Sequence, residues 1–361
     1  MLRTRSRCWA LAAACLAALL AWPGCAAPAA APAPGGAPPA PRPAASAPAP
    51  SAPPASAPAT TAQPPPLEHV KISTAGQSMT TMPVQIANLQ GFFAAEGVEV
   101  EMVYADNTIG VAALQAGDVD FMTQADTAIL GYFQGLPLRA IAWTAVRPPY
   151  VVVGQPAIRT AADLVGKTLG VSQIGTTPQL AIMGALRAQG IDPDQVIYRN
   201  GGSDSGRLTS LTSGQLDAAF FAPPVHVKAL GEGRHVLFIA SDYVEYLVSG
   251  LAAHEKTLHE RPAMVKNVLR ALLKSIHWLK ANRTETIALE MAFQDLDEES
   301  VAAAYDILVK IFPDNGEASE EAMQRQTDLQ REFAHVDRPA PWTEATDLTL
   351  LREVQRELGL R

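Results

Sequence analysis

The 361-residue chain carries 28 Lys or Arg against 36 Asp or Glu, a formal net charge of −8, and is 48% hydrophobic. Every acidic residue lies at or after Glu68, whereas Arg3, Arg5, Arg7 and Arg42 precede it, so the body has 24 basic against 36 acidic side chains and a charge of about −12, which argues against nucleic acid or an anionic lipid surface as partner. Cys8, Cys15 and Cys25 are the 3 cysteines, so the body can form no internal disulfide and no cysteine-based metal site.

Residues 1–25 predict a targeting segment. A basic start at Arg3, Arg5 and Arg7 is followed by an Ala- and Leu-rich run from Trp9 to Trp22, too short for a spanning helix and closed by Pro23-Gly24-Cys25. That ending is similar to the bacterial lipoprotein signal, with Trp22 where leucine is usual. The resemblance implies export to the periplasm or cell envelope and a lipid anchor on Cys25; the alternative is a conventional signal cut near Ala26 or Ala27. Residues 26–66 hold 15 prolines and a single charge, Arg42, a composition that cannot bury a core and predicts a disordered linker.

From residue 67 the pattern becomes that of alternating strands and helices. Val70 to Thr74 alternates as a strand, Thr80-Thr81-Met82-Pro83 opens a helix that stops near Gly97, and Val98 to Tyr104 alternates again. A helix over Gly110 to Ala116 then runs through Leu114-x-x-Gly117-x-x-Asp120 into a buried strand at Phe121 and Met122. The same order returns about 95 residues later: Leu169 to Ser172, a helix from Thr176-Thr177-Pro178 to Gly190, Val196 to Tyr198, a helix over Ser205 to Ser213, Leu211-x-x-Gly214-x-x-Asp217 and Ala218 to Phe221. Two copies of strand, helix, strand, helix, strand predict an α/β protein with two mainly parallel sheets. Helical spacing follows over Pro262 to Leu279, Thr284 to Phe293, Glu298 to Phe312, Glu320 to Ala334 and Thr343 to Leu358. The expected organisation is a first lobe of residues 67–150 and 246–361 and an inserted second lobe of residues 151–245. Two crossings, near Trp143 to Tyr150 and Asp242 to Ser249, would permit hinge closure.

The strings GFFAAEGVEVEMV, ALQAGDVDFMTQ, SLTSGQLDAAFFAPP and TAADLVGKTLGV, above all Asp163 to Lys167 before a strand, resemble the nitrate, sulfonate, taurine and thiamine-precursor family of ABC-transporter solute-binding proteins. The resemblance covers Leu67 to Ala334. It implies a type II periplasmic-binding fold, two lobes around a ligand cleft with extra helices at the carboxyl end. It also implies a monomer that hands a small molecule to ABC permease and ATPase subunits.

Ligands of open parallel sheets bind beyond the carboxyl ends of the strands, where helix amino termini offer free N–H groups. The candidate residues there are Ser78, Thr80, Thr81, Gln124, Asp126 and Thr127 on the first lobe. On the second they are Ser172, Gln173, Thr176, Thr177, Asp204 and Ser205. Thr81 and Thr177 also suit helix capping, and Asp126 and Asp204 suit either an amine of the ligand or a cap. Trp143, Tyr150, Tyr243 and Tyr246 stand near the crossings, placed to stack on a flat ligand or to pack the hinge. Mostly neutral loops suit an alkanesulfonate or zwitterion, while the aspartates and aromatics suit an aminopyrimidine or another flat heterocycle. Catalysis is not expected. The 7 histidines show no metal-ligand spacing, and there is no Gly-x-Ser-x-Gly elbow, phosphate loop or cysteine-rich motif such as the related pyrimidine synthases carry, so no metal and no cofactor are expected. A tethered sensor of the same ligand is the competing non-enzymatic reading.

Overall fold

A computed structural model describes residues 66–76 and 78–361. The targeting segment, Cys25 and the linker lie outside the described residues.

The first repeat comprises strand β1 (Glu68–Thr74), helices α1 (Met82–Leu89) and α2 (Phe92–Ala95), β2 (Val98–Tyr104), α3 (Asn107–Ala116) and β3 (Phe121–Met122). Helix α4 (Ala125–Phe133) and strand β4 (Leu138–Ala145) follow, and the chain crosses to β5 (Val151–Gly154). The second repeat runs β6 (Thr168–Val171), α5 (Thr177–Ala188), β7 (Ile197–Asn200), α6 (Asp204–Thr212) and β8 (Ala218–Phe221), then α7 (Val225–Ala229) and β9 (His235–Ile239). Strand β10 (Ser249–His254) returns to the first sheet. It is followed by α8 (Glu255–Glu260), α9 (Pro262–Ala281), α10 (Arg283–Gln294), α11 (Glu298–Leu308), α12 (Glu320–Phe333) and α13 (Thr349–Glu357).

The strands form two five-stranded sheets, ordered β2-β1-β3-β10-β4 and β7-β6-β8-β5-β9. In each, the three repeat strands are parallel in the same 2-1-3 order, as the sequence repeat requires. Both sheets are mixed, because β10 lies antiparallel to β3 and β4, and β5 antiparallel to β8 and β9. The repeated Leu-x-x-Gly-x-x-Asp element has one structural role in both copies. Gly117 and Gly214 end their helices with left-handed φ of 81° and 75°, a conformation glycine adopts without a Cβ penalty. Asp120 Oδ2 then accepts from the Lys71 amide in the middle of β1 at 2.9 Å, and Asp217 Oδ2 from the Thr168 amide at the start of β6 at 2.8 Å, so each carboxylate ties its loop to the neighbouring parallel strand.

Two hydrophobic cores follow the two sheets. One contains Ile72, Phe121, Trp143 and the inner faces of α9 and α11; the other contains Leu169, Ile182, Leu186 and Phe220. Ile307 of α11 joins a third cluster with Val151, Leu211 and Phe221, so the carboxyl-terminal helices also bear on the second lobe. Glu245 strengthens that contact: its Oε2 accepts from Ser319 Oγ at 2.5 Å and its carbonyl from Arg325 Nη2 at 3.2 Å.

The last helix differs from its expected span. The spacing predicts a helix from Thr343, yet Trp342–Glu344 is a separate 3₁₀ turn and α13 begins at Thr349. The intervening backbone pairs with the outer edge of β4, Ala140 N–H to Ala345 O at 3.0 Å and Asp347 N–H to Ala140 O at 2.8 Å. Covering an exposed sheet edge satisfies backbone groups that a continued helix would leave open.

Candidate functional site

The parallel strands of the first sheet end at Thr74 and Met122, where β10 begins at Ser249; those of the second end at Val171, Asn200 and Phe221, where β5 begins at Val151. The two crossings, 146–150 and 240–248, connect these same edges, so the polar loops of both sheets lie on either side of one crevice.

On the first lobe the loops enclose a cavity of about 370 Å³, whose walls include Ser78, Thr80, Thr81, Thr123, Gln124 and Ser249. Ser78 organises it. Its Oγ accepts from the Thr80 amide at 3.3 Å and lies 2.9 Å from Thr80 Oγ1, while its carbonyl accepts from Thr81 Oγ1 at 2.6 Å. Thr81 Oγ1 also accepts from Gln85 Nε2 at 3.0 Å, so this hydroxyl braces the loop. It makes no cap bond to α1, whose first turn instead carries Pro83. Ser249 Oγ donates to Thr123 O at 3.3 Å and accepts from Thr144 Oγ1 at 3.1 Å. The buried side-chain oxygens of Thr123 and Gln124 have no partner among the described residues, an arrangement native proteins keep where water or ligand supplies one. Thr127, outside this wall, accepts from Asn107 Nδ2 at 3.3 Å.

The second lobe contributes two loops. In the first, Thr176 Oγ1 donates to the carbonyl of Gln173 at 2.7 Å, and the Gly175 amide donates to Gln179 Oε1 at 2.7 Å. Thr176, rather than Thr177, is the residue before α5, and it makes no side-chain cap bond. Ser172 holds the second loop through its carbonyl, which accepts from the Gly202 amide at 3.1 Å. There Ser203 Oγ caps α6 by accepting from the Gly206 amide at 3.2 Å, and the exposed Ser205 offers its carbonyl to Thr209. None of the second-lobe candidates Ser172, Gln173, Thr176, Thr177, Asp204 and Ser205 borders the 370 Å³ cavity, whose walls come from the first lobe.

Asp126 and Asp204, the two candidate carboxylates, stand on different lobes. Neither aspartate is a cap: the residues before α4 and α6 are Gln124 and Ser203. Asp126, half-buried in the first turn of α4, has its carboxyl pushed above the ordinary value by desolvation, which hydrogen bonds from Thr127 only partly offset. Asp204 pairs with Arg207 one turn along α6. Tyr150, on the crossing, feels all three: burial first, then the charges of Asp126 and Asp204, push its phenol up to about 12 against the opposing pull of Arg207.

Thr123 and Ser249 in the cavity wall, and Arg207 on the second lobe, are candidates that the sequence reading misses. Arg207 is 3% exposed, its Nε donates to Phe220 O at 2.8 Å, and its guanidinium lies 4.0 Å from the Phe220 ring centre. Phe220 in turn packs on Tyr150 with ring centres 5.0 Å apart. Gly201 makes the room, since a Cβ there would lie 2.5 Å from Arg207 Cγ. Of the other hinge aromatics, Trp143 is wholly buried in the first core, and Tyr243 packs edge-on to Phe238 at 6.3 Å.

The model of the family described as NMT1/THI5 like matches residues 78–286. The chain belongs to this family. Among its relatives are the riboflavin-binding protein RibY of Chloroflexus aurantiacus, 28% identical over 219 residues, and the formylaminopyrimidine-binding protein of Halalkalibacterium halodurans, 29% identical over 222. Each match covers 58% of this chain, and they cover 62% and 66% of those proteins respectively. The fold is shared with the periplasmic sulfonate-binding protein SsuA of Methylobacillus flagellatus, at a TM-score of 0.66 and 17% identity over 82% of this chain and 96% of that one. It is also shared with the desulfurization enzyme DSZB, at a TM-score of 0.55 and 15% identity over 81% and 99%. The periplasmic-binding fold expected from the sequence is thus the one observed, two lobes about a crevice. Among the described residues no helix is long and apolar enough to cross a membrane, and no group of three or more His, Cys, Asp or Glu is placed to hold a metal ion.

Proposed function

We propose that this protein is an extracytoplasmic solute-binding protein that captures a small polar molecule by closing its two lobes and presents it to the permease of an ABC importer. The captured molecule has the size and chemistry of an organic anion, a zwitterion or a flat heterocycle. The observation that carries the reading is the polar cavity bordered by Ser78, Thr80 and Gln124 at the strand ends of the first sheet, into which the buried side-chain oxygens of Thr123 and Gln124 bring acceptors with no partner among the described residues. Hydroxyl-bearing loops of both lobes stand at strand ends and helix amino termini, which supports capture by hinge closure around a desolvated ligand. The moving bodies in this reading are residues 67–150 with 246–361, and residues 151–245, the captured molecule contacting Ser172, Gln173, Thr176 and Thr177 on the second. The family relatives named for riboflavin and formylaminopyrimidine support binding of a flat ring, and Tyr150 packed on Phe220 offers an aromatic wall for one.

Binding without turnover is the favoured reading. No cysteine follows Cys25, which removes the strongest side-chain nucleophile from the body. Export, a lipid anchor on Cys25, a monomeric state and hand-over to permease and ATPase subunits belong to the same proposal. A thermal-shift screen of sulfonates, aromatic carboxylates, pyrimidines and flavins tests it. A ligand at 100 times its Kd adds about 2.7 kcal/mol of stability. Recovery of a chemically altered ligand would instead indicate an enzyme, and no shift across all four classes would sink the capture reading.

A further inference from the structure

Arg207 is a cation built into the second lobe's side of the crevice and turned inward. Its Nε donates to Phe220 O, one terminal nitrogen to Gly202 O and the other to Asp204 Oδ1. The Asp204 side chain is 29% exposed where the arginine is 3% exposed, so at the start of α6 it is the carboxylate, not the guanidinium, that is open to solvent. A free guanidinium is the side chain best matched to sulfonates and carboxylates, because its fork donates to two oxygens at once. Here one arm of that fork is held by Asp204. Helix amino termini alone would welcome an anion, and α1 and α5 both begin at these loops. The part-exposed Asp204 carboxylate at the start of α6 opposes it.

We propose that Asp204 is a specificity-determining residue. By holding Arg207 in an internal pair it turns a latent oxyanion receptor into a wall that disfavours sulfonates and carboxylates and favours neutral or cationic ligands rich in hydrogen-bond donors. This rests on the crevice being the ligand site, as proposed above.

The test is calorimetric titration of ethanesulfonate and benzoate into wild type, Asp204→Asn, Asp204→Glu and the double variant Asp204→Asn with Arg207→Gln, each checked for folding by circular dichroism. Asp204→Asn should gain at least tenfold in affinity for both anions, the gain shrinking as salt is added. Asp204→Glu should keep the discrimination, and the double variant should lose the gain. An unchanged affinity in a folded Asp204→Asn protein overturns the proposal, as does a gain that survives removal of Arg207. Wild-type binding of ethanesulfonate as tight as that of the best neutral hit overturns it without any variant. A parallel titration with a flavin and an aminopyrimidine separates the two ideas. Failure of those neutral ligands counts against the capture reading, whereas the anion arm reads the Asp204–Arg207 pair directly.

Discussion

Glu290 on α10 is fully buried, and replacing it with glutamine should stabilise the protein in a pH-dependent way. Its Oε2 accepts from Gln294 Nε2 at 3.3 Å, while Oε1 has no partner among the described residues. Burial pushes the carboxyl up to about 7 from an ordinary 4.5, the hydrogen bond from Gln294 pulling only weakly the other way. Below pH 4.5 folded and unfolded chains are both protonated at this position, and the group costs nothing. As pH rises from there the unfolded chain ionises first, so stability falls until the folded group also ionises near pH 7. At about 1.4 kcal/mol per pH unit the penalty reaches on the order of 3 kcal/mol and then levels off. Glu290→Gln keeps the shape and an acceptor for Gln294 but cannot ionise. Differential scanning calorimetry should therefore show equal stability at pH 4.5 and a variant melting higher by roughly 6 °C at pH 8. A difference that is the same at both pH values, or absent at pH 8, would refute the reasoning.

Gly250 of β10 lies where a Cβ would stand 2.3 Å from Ala142 O and 3.0 Å from the Trp143 ring. Gly250→Ala should cost at least about 3 kcal/mol in urea denaturation, since backbone rather than a mobile side chain must give way. Asp217 is held below the usual carboxylate range: against the desolvation that would raise it, the Thr168 amide and hydroxyl each donate at 2.8 Å. Its contribution is present above the ordinary value and is lost as pH falls through the lowered one. Asp217→Asn should therefore cost about 1 kcal/mol at pH 7 and nearly nothing in strong acid, and a cost undiminished by acid would contradict this.

The repeat carried much of the fold into view before any coordinates. Its two copies placed all six parallel strands, because β-branched alternation and the glycine-aspartate punctuation are local signals. The partners that make both sheets mixed were harder. The stretch SDYVEYLVSGLAA reads as strand-like and β10 lies at its end, but the small residues SGLAAH carry no local signal of antiparallel pairing with β3 and β4. The end of the chain misled for a related reason: residues 345–347 have helical spacing but pair with the edge of β4, a partner some 200 positions earlier.

At the site, the hydroxyl-bearing loops followed from strand ends and Thr-Pro starts, while the arginine did not. Arg207 sits in DSGRLTSLT, which reads as a solvated helix face. Its burial depends on Phe220, 13 residues on, and on the room left by Gly201. The available signal was Gly201-Gly202 before a helix whose aspartate and arginine stand three apart, a spacing that places both on one face.

A co-crystal structure with the tightest hit of the ligand screen tests capture between the lobes most directly. The ligand should touch the Ser78 to Thr81 loop, Gln124 or Asp126 on one side and the 172–176 loop or Asp204 on the other. A ligand held by the loops of one sheet alone, or lodged in the 450 Å³ cavity of Arg139, Trp342 and Arg352 at the far end of β4, would contradict it.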